Sequence, residues 1–256
     1  MSEPVFVEIS AGPPAEISAG PPAEISAGPP AFSTVAPHPP IDFDGPDRYP
    51  DEETRALADE AAEIIARYPH SRSALLPLLH LVQSHDGYLT RAGIMFCAEQ
   101  LELTPADVAG VATFYTMYRR SPTGDYFVGV CTNALCAVMG GDAILSELTD
   151  SLGINPGETT ADGKVTVERV ECNAACDFAP VVMVNWEFFD NQTPESARTL
   201  VADLRSGTPR APSRGPDTLC TFRQAARLLA GLPEQGPPAP TEARPEPEPE
   251  SETGAQ

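Results

Sequence analysis

The chain has 256 residues and a formal net charge of −21, with 29 prolines and 6 cysteines. An acidic excess of this size argues against a nucleic-acid binder, because phosphate contacts need a basic face. No run approaches the roughly 20 apolar residues of a transmembrane helix, and Met1 to Ala11 lacks the basic and apolar regions of a secretory signal, so an unexported chain is expected.

Residues 1–50 read as a disordered, proline-rich linker. Positions 4–50 hold 12 prolines, and the octapeptide Glu-Ile-Ser-Ala-Gly-Pro-Pro-Ala runs three times in succession at 8–15, 16–23 and 24–31. Such composition buries too little apolar surface to offset the entropy of ordering, and a period of eight does not match solenoid repeats.

Residues 51–120 read as a helical domain. The spacing predicts a helix from Thr54 to Tyr68, capped by Thr54 and stopped by Pro69, with Leu57, Ala61, Ile64 and Ile65 as its apolar stripe. Ser73 to Ser84 carries a second, Thr90 opens a third, and Thr104-Pro105 opens a fourth with proline in the favoured first position.

Residues 121–206 change period. Strands are expected at Tyr126 to Val130, Val165 to Val170 and Val181 to Trp186, with helices at Asp142 to Leu152 and Pro194 to Leu204. Strand–helix–strand–strand–helix is an α/β sandwich with a mixed sheet. Trp186 reads as packing. Residues 207–256 read as a mostly disordered tail ending in an alternation of Pro and Glu from Pro245 to Glu250.

The chemistry sits in two tight cysteine pairs. Cys131 follows the first strand, and Cys136 comes after four intervening residues; Cys172 follows the second strand, and Cys176 comes after three. If those strands are parallel, both loops leave the same edge of the sheet, and four sulfurs come within reach of one centre. Thiolates are soft ligands, so the candidates are zinc and an iron–sulfur cluster. The gaps are wider than the two-residue knuckles of structural zinc sites and suit a [2Fe–2S] cluster whose two irons are each held by one pair. Such a cluster carries roughly −2 charge oxidised and −3 reduced. Backbone amides near Asn133, Gly140 and Gly141 are expected to face it, and the small residues Ala134, Ala137, Ala174 and Ala175 would let the backbone come close to the sulfurs. A thiol–disulfide oxidoreductase would want two residues between its cysteines. Cys97 reads as a core residue, and Cys220 lies outside the ligand set. The histidines His38, His70, His80 and His85 are scattered and read as solvated or hydrogen-bonded. Gly157 to Lys164 departs from a phosphate loop in spacing.

Cys131-x4-Cys136 followed by Glu171-Cys172-Asn173-Ala174-Ala175-Cys176-Asp177-Phe178-Ala179-Pro180 resembles the thioredoxin-like [2Fe–2S] subunit of bacterial respiratory complex I, the NuoE family of NADH:quinone oxidoreductase. The segment from Gly110 to Tyr118 is similar to the family's approach to its first strand. The resemblance covers about residues 50–205. Ala174 stands where the family usually carries glycine, a departure expected to perturb little.

The resemblance implies a helical N-terminal part before a thioredoxin-like ferredoxin domain, with Cys131, Cys136, Cys172 and Cys176 as ligands of one [2Fe–2S] cluster. It implies electron exchange with the FMN of an NADH-binding flavoprotein subunit, a neighbouring large iron–sulfur subunit, and a peripheral place on the cytoplasmic side of the plasma membrane. No catalytic residue is expected in this chain itself. Phe114, Tyr115 and Tyr118 are the expected partner surface, with ordinary core as the alternative. A shared NADH-oxidising module in an NAD-linked hydrogenase or formate dehydrogenase, and a zinc-bound scaffold, remain as other readings.

Overall fold

The computed structural model describes residues 43–208 and 210–233. The octapeptide repeats, His38 and the Pro-Glu alternation lie outside the described residues.

The N-terminal layer is helical: α1 Asp51–Ile65, α2 Leu75–Asp86, α3 Arg91–Leu101 and α4 Pro105–Phe114. α1 starts three residues before the expected position. Thr54 is not its cap: its hydroxyl donates to Tyr49 O, and the cap position is Pro50, without a side-chain bond. Asp51, Glu52 and Glu53 occupy the first turn, where carboxylates favour the positive end of the helix dipole. Thr90 caps α3 through Gly93 N–H, and Thr104 and Asp107 form a capping box on α4. Leu57, Ala61 and Ile64 face a core with Leu78, Leu79, Val82, Phe96 and Cys97.

The sheet has four strands in the order β2-β1-β3-β4: β1 Tyr126–Cys131, β2 Val165–Val170, β3 Val182–Val184 and β4 Glu187–Phe189. β1 pairs parallel with β2 and antiparallel with β3, and β3 pairs antiparallel with β4. β3 is shorter than expected, because Asn185 and Trp186 turn the chain with φ of 48° and 72°, as a two-residue hairpin requires. Trp186 therefore lies in a turn rather than a strand. It packs on Phe222, with ring centroids 5.3 Å apart.

Between β1 and β2 run α5 Ala134–Val138 and α6 Gly141–Leu152; α7 Pro194–Ser206 and α8 Phe222–Leu229 follow the sheet. Alternation along β1 sends Val128 and Val130 into a core with Ile144 and Leu148 of α6 and Leu200 and Leu204 of α7. Phe127 goes to the other face, where it meets Met183 and Phe222.

Two buried amides join the layers. Gln83 is fully buried; its amide donates to Met117 O and accepts from Arg119 N–H, which fixes the connection into β1. Asn185 accepts from Phe127 N–H and donates to Asp125 O and Cys220 O.

α8 lies in a stretch where no helix is expected from the sequence. Thr221 and Gln224 give it a capping box. Arg223 donates to the carbonyls of Ser84, His85 and Asp86 at the end of α2, and Arg227 grips Glu60 of α1 through two nitrogens. Ala230 and Leu232 complete the helical core. The segment thus straps the helical layer to the sheet. Phe222, fully buried, anchors it; Phe222→Ala should destabilise the protein by about 3–5 kcal/mol, measured as a lowered denaturant midpoint at unchanged slope.

Candidate metal centre

The parallel register places Cys131 opposite Val170, so the chain leaves β1 and β2 side by side at one end of the sheet. Cys131 is the last residue of β1, and Cys172 comes two residues after β2 ends. Cys136 is not on an open loop, as its spacing implied, but within the short helix α5. Cys176 opens a single 3-10 turn, Cys176–Phe178. The topology brings both pairs to one place.

The two pairs differ in burial. Cys131 and Cys136 are buried and pack with Ala179, whereas Cys172 and Cys176 are exposed, with their sulfurs 3.8 Å apart. The pairs sense each other electrostatically. Burial is the largest influence raising the Cys136 thiol pKa, opposed by a backbone hydrogen bond at Val181, with Cys131 and Cys176 adding to the rise. The Cys176 pKa is raised by its hydrogen bond with Cys172 and by that thiol's charge, and further by Cys131. Gathering thiolates is unfavourable without a cation to share.

The local backbone is shaped around the sulfurs. Ala174 N–H points at Cys172 Sγ over 3.4 Å, the kind of amide–sulfur bond that tunes a cluster. To make it, Ala174 adopts φ of 54°, a left-handed conformation that costs an L-residue about 1–2 kcal/mol. The alanine is therefore strained here, contrary to the expectation that it perturbs little. Gly141, first residue of α6, is needed for close approach. A Cβ there would collide with Cys131 O and meet Cys136 O at 2.9 Å, so the helix start presses on the backbones of both buried cysteines. Asn133 turns its side chain to Glu171 Oε2 at 3.2 Å.

Among the described residues, no group of three or more His, Cys, Asp or Glu side chains is arranged to hold a single metal ion. A binuclear cluster asks for something else, two sulfurs on each iron. The donor set fits that demand: four thiols in two pairs, an amide aimed at one sulfur, and a glycine whose missing side chain lets a helix close on the pair beside it. The histidines His80 and His85 belong to the helical layer. His80 is buried against Tyr118 with its pKa lowered to about 4 by desolvation, and His85 pairs with Asp86. Cys97 is enclosed in the helical core, where burial pushes its thiol up.

Exposed apolar side chains surround the sulfurs. Val138, 85% exposed, stands on α5 with Leu135, and Met139 and Phe178 flank the site. Sequence reasoning placed none of these four residues on an exposed surface, although the apolar run around Cys136 was the available signal. The expected aromatic surface divides. Phe114, 77% exposed, and Tyr115 pack edge to face in the open, whereas Tyr118 is buried and its hydroxyl donates to Leu76 O.

A family model described as thioredoxin-like [2Fe–2S] ferredoxin matches residues 61–205. A curated relative from Mycobacterium tuberculosis (strain ATCC 25618 / H37Rv), the E subunit of its NADH-quinone oxidoreductase, is 65% identical over 203 residues, covering 77% of this chain and 80% of its own. A Thermus thermophilus protein named NADH-quinone oxidoreductase subunit 2 is 40% identical, covering 58% of this chain and 84% of its own. The corresponding E subunit from Rickettsia bellii is 38% identical, covering 57% and 89%. The family match ends before α8 begins.

Ala174→Gly should raise the stability of the cluster-free protein by about 1 kcal/mol by releasing the left-handed strain. Chemical denaturation of both proteins checks it.

Proposed function

The chain belongs to the thioredoxin-like [2Fe–2S] ferredoxin family, as a relative of the E subunits of NADH:quinone oxidoreductase, and from that premise we propose that it is an electron carrier exchanging electrons with the FMN of an NADH-binding flavoprotein subunit. Cys131 and Cys136 would hold one iron of a [2Fe–2S] cluster, and Cys172 and Cys176 the other. The carrying observation is the parallel pairing that sets both cysteine pairs at one end of the sheet. When bound, the cluster takes up and returns one electron at a time.

The residues of this chain do the rest. The buried pair anchors the group against the protein interior. The exposed pair gives it an edge toward a partner, and Ala174 N–H stabilises charge on Cys172. Leu135, Val138, Met139 and Phe178 give that edge an apolar rim, which loses its water when a partner docks and so lowers the dielectric around the transfer. Phe114 and Tyr115 supply a second apolar contact on the helical layer, suited to the flavoprotein or to a large iron–sulfur subunit. Among the described residues no helix is long and apolar enough to cross a membrane, in keeping with a peripheral position on the cytoplasmic face of a membrane-bound complex. The chain carries electrons for the complex's reaction and contributes no acid, base or nucleophile to it.

After reduction with dithionite, the purified protein should give the EPR signal of one net unpaired spin, which zinc cannot give. Replacing any one of the four cysteines by Ser should abolish or strongly alter it, whereas Cys97→Ser and Cys220→Ser should retain it. Loss of colour in Cys97→Ser with an intact signal in Cys131→Ser would refute the ligand assignment.

A further inference from the structure

Two polar bridges span the cysteine loops without using a sulfur. Arg169 lies on β2, in register with Val130. Its Nη1 donates to Thr132 Oγ1 at 2.7 Å and to Asp142 Oδ1 at 3.2 Å. One nitrogen therefore joins the strand leading to Cys172, the residue after Cys131, and the first turn of α6, the helix whose Gly141 presses on both buried ligands. The second bridge runs from Asn133 Nδ2 to Glu171 Oε2, linking the residue before α5 to the residue before Cys172. Both bridges border a cavity of about 520 Å3 that reaches Cys172.

The last ladder pair of β1 and β2 is Cys131 with Val170; beyond it these segments are joined through the side chains just named. Thiolates brought together push apart, so the loops need another tie.

We propose that Arg169 is a positioning residue for the metal centre, bracing the two cysteine loops at the spacing a binuclear cluster needs and setting a cation beside an anionic group. The inference rests on the four-cysteine reading given above. The ion pair with Asp142 is more than half exposed at both side chains and adds little to global stability. Its effect is on the ligands it spaces. Because the charge favours the more negative, reduced form, its loss moves the midpoint potential downward. Both contacts come from a single nitrogen, so a lysine ammonium can replace the guanidinium here even though the two side chains differ elsewhere.

The test uses the full-length protein purified anaerobically with its cluster. It compares wild type, Arg169→Gln, Arg169→Lys and Asn133→Ala. Far-UV circular dichroism reports folding, visible absorbance under an iron chelator reports cluster loss, and an EPR-monitored titration reports the midpoint potential. Arg169→Gln should lose its cluster about 10-fold faster than wild type, the scale on which outer support around a metal site acts, and its potential should become more negative. Arg169→Lys should stay close to wild type in both. Asn133→Ala, which breaks the other bridge without removing a cation, should speed loss and leave the potential in place. Wild-type retention and potential in Arg169→Gln would overturn the proposal. So would wild-type retention in Asn133→Ala if Arg169→Gln failed to fold. A wild-type protein with no EPR signal would instead overturn the four-cysteine reading itself.

Discussion

The structure depends on the parallel pairing of β1 with β2. Two neighbouring strands that run the same way release their chains at the same end of the sheet, and the chain between them must return by a crossover long enough to include helices. Here that crossover includes α5 and α6, and it delivers Cys131 and Cys172 to one end although 40 positions of sequence separate them. Had the strands been antiparallel, the two loops would have left opposite ends of the sheet. Convergence of the sulfurs is therefore a property of topology first and of side chains second.

On that frame the site is built unevenly. One cysteine pair is sealed in with Ala179 and held down by the start of α6, and the other is open to solvent. On the function proposed above, the sealed side would hold the cluster in place, and the open side would give it electrical contact with a neighbour. Apolar side chains exposed both beside the cysteines and on the helical layer are costly in an isolated protein, because Val138 and Phe114 remain in water. Their exposure is understandable if this protein works within an assembly that covers them.

Much of the arrangement was legible in the sequence, because the signals were local. The threonines at 90 and 104 that open α3 and α4 report short-range physics that tertiary context did not override, and the cysteines expected after the first two strands stand at or just past the ends of β1 and β2. What escaped depends on distant partners. α8 carries local signals, a Thr221–Gln224 capping box and an amphipathic run, but proline-rich sequence close by hides them, and its place is set by α1, α2 and Trp186. The start of α1 was misplaced because Thr54 looks like a cap but finds Tyr49 O instead. The hairpin at Asn185 and Trp186 was hidden because tryptophan is an unusual residue for a left-handed position. Nor could the sequence show that Tyr118 goes inward while Phe114 and Tyr115, a few residues away, face out.

The strap from the far end of the chain also bears on biosynthesis. Arg67, just past α1, bonds to Gly231 O across 164 positions, and Phe222 closes the face of the sheet opposite α6 and α7. A nascent polypeptide emerging from the ribosome can stack its early helices and pair its early strands, but it cannot complete the helical core or the Phe127 face until residues 222–232 have been translated. Closure of this kind is a late, long-range event. The cysteine loops, which lie earlier in the sequence, are therefore made before the segment that closes those two cores.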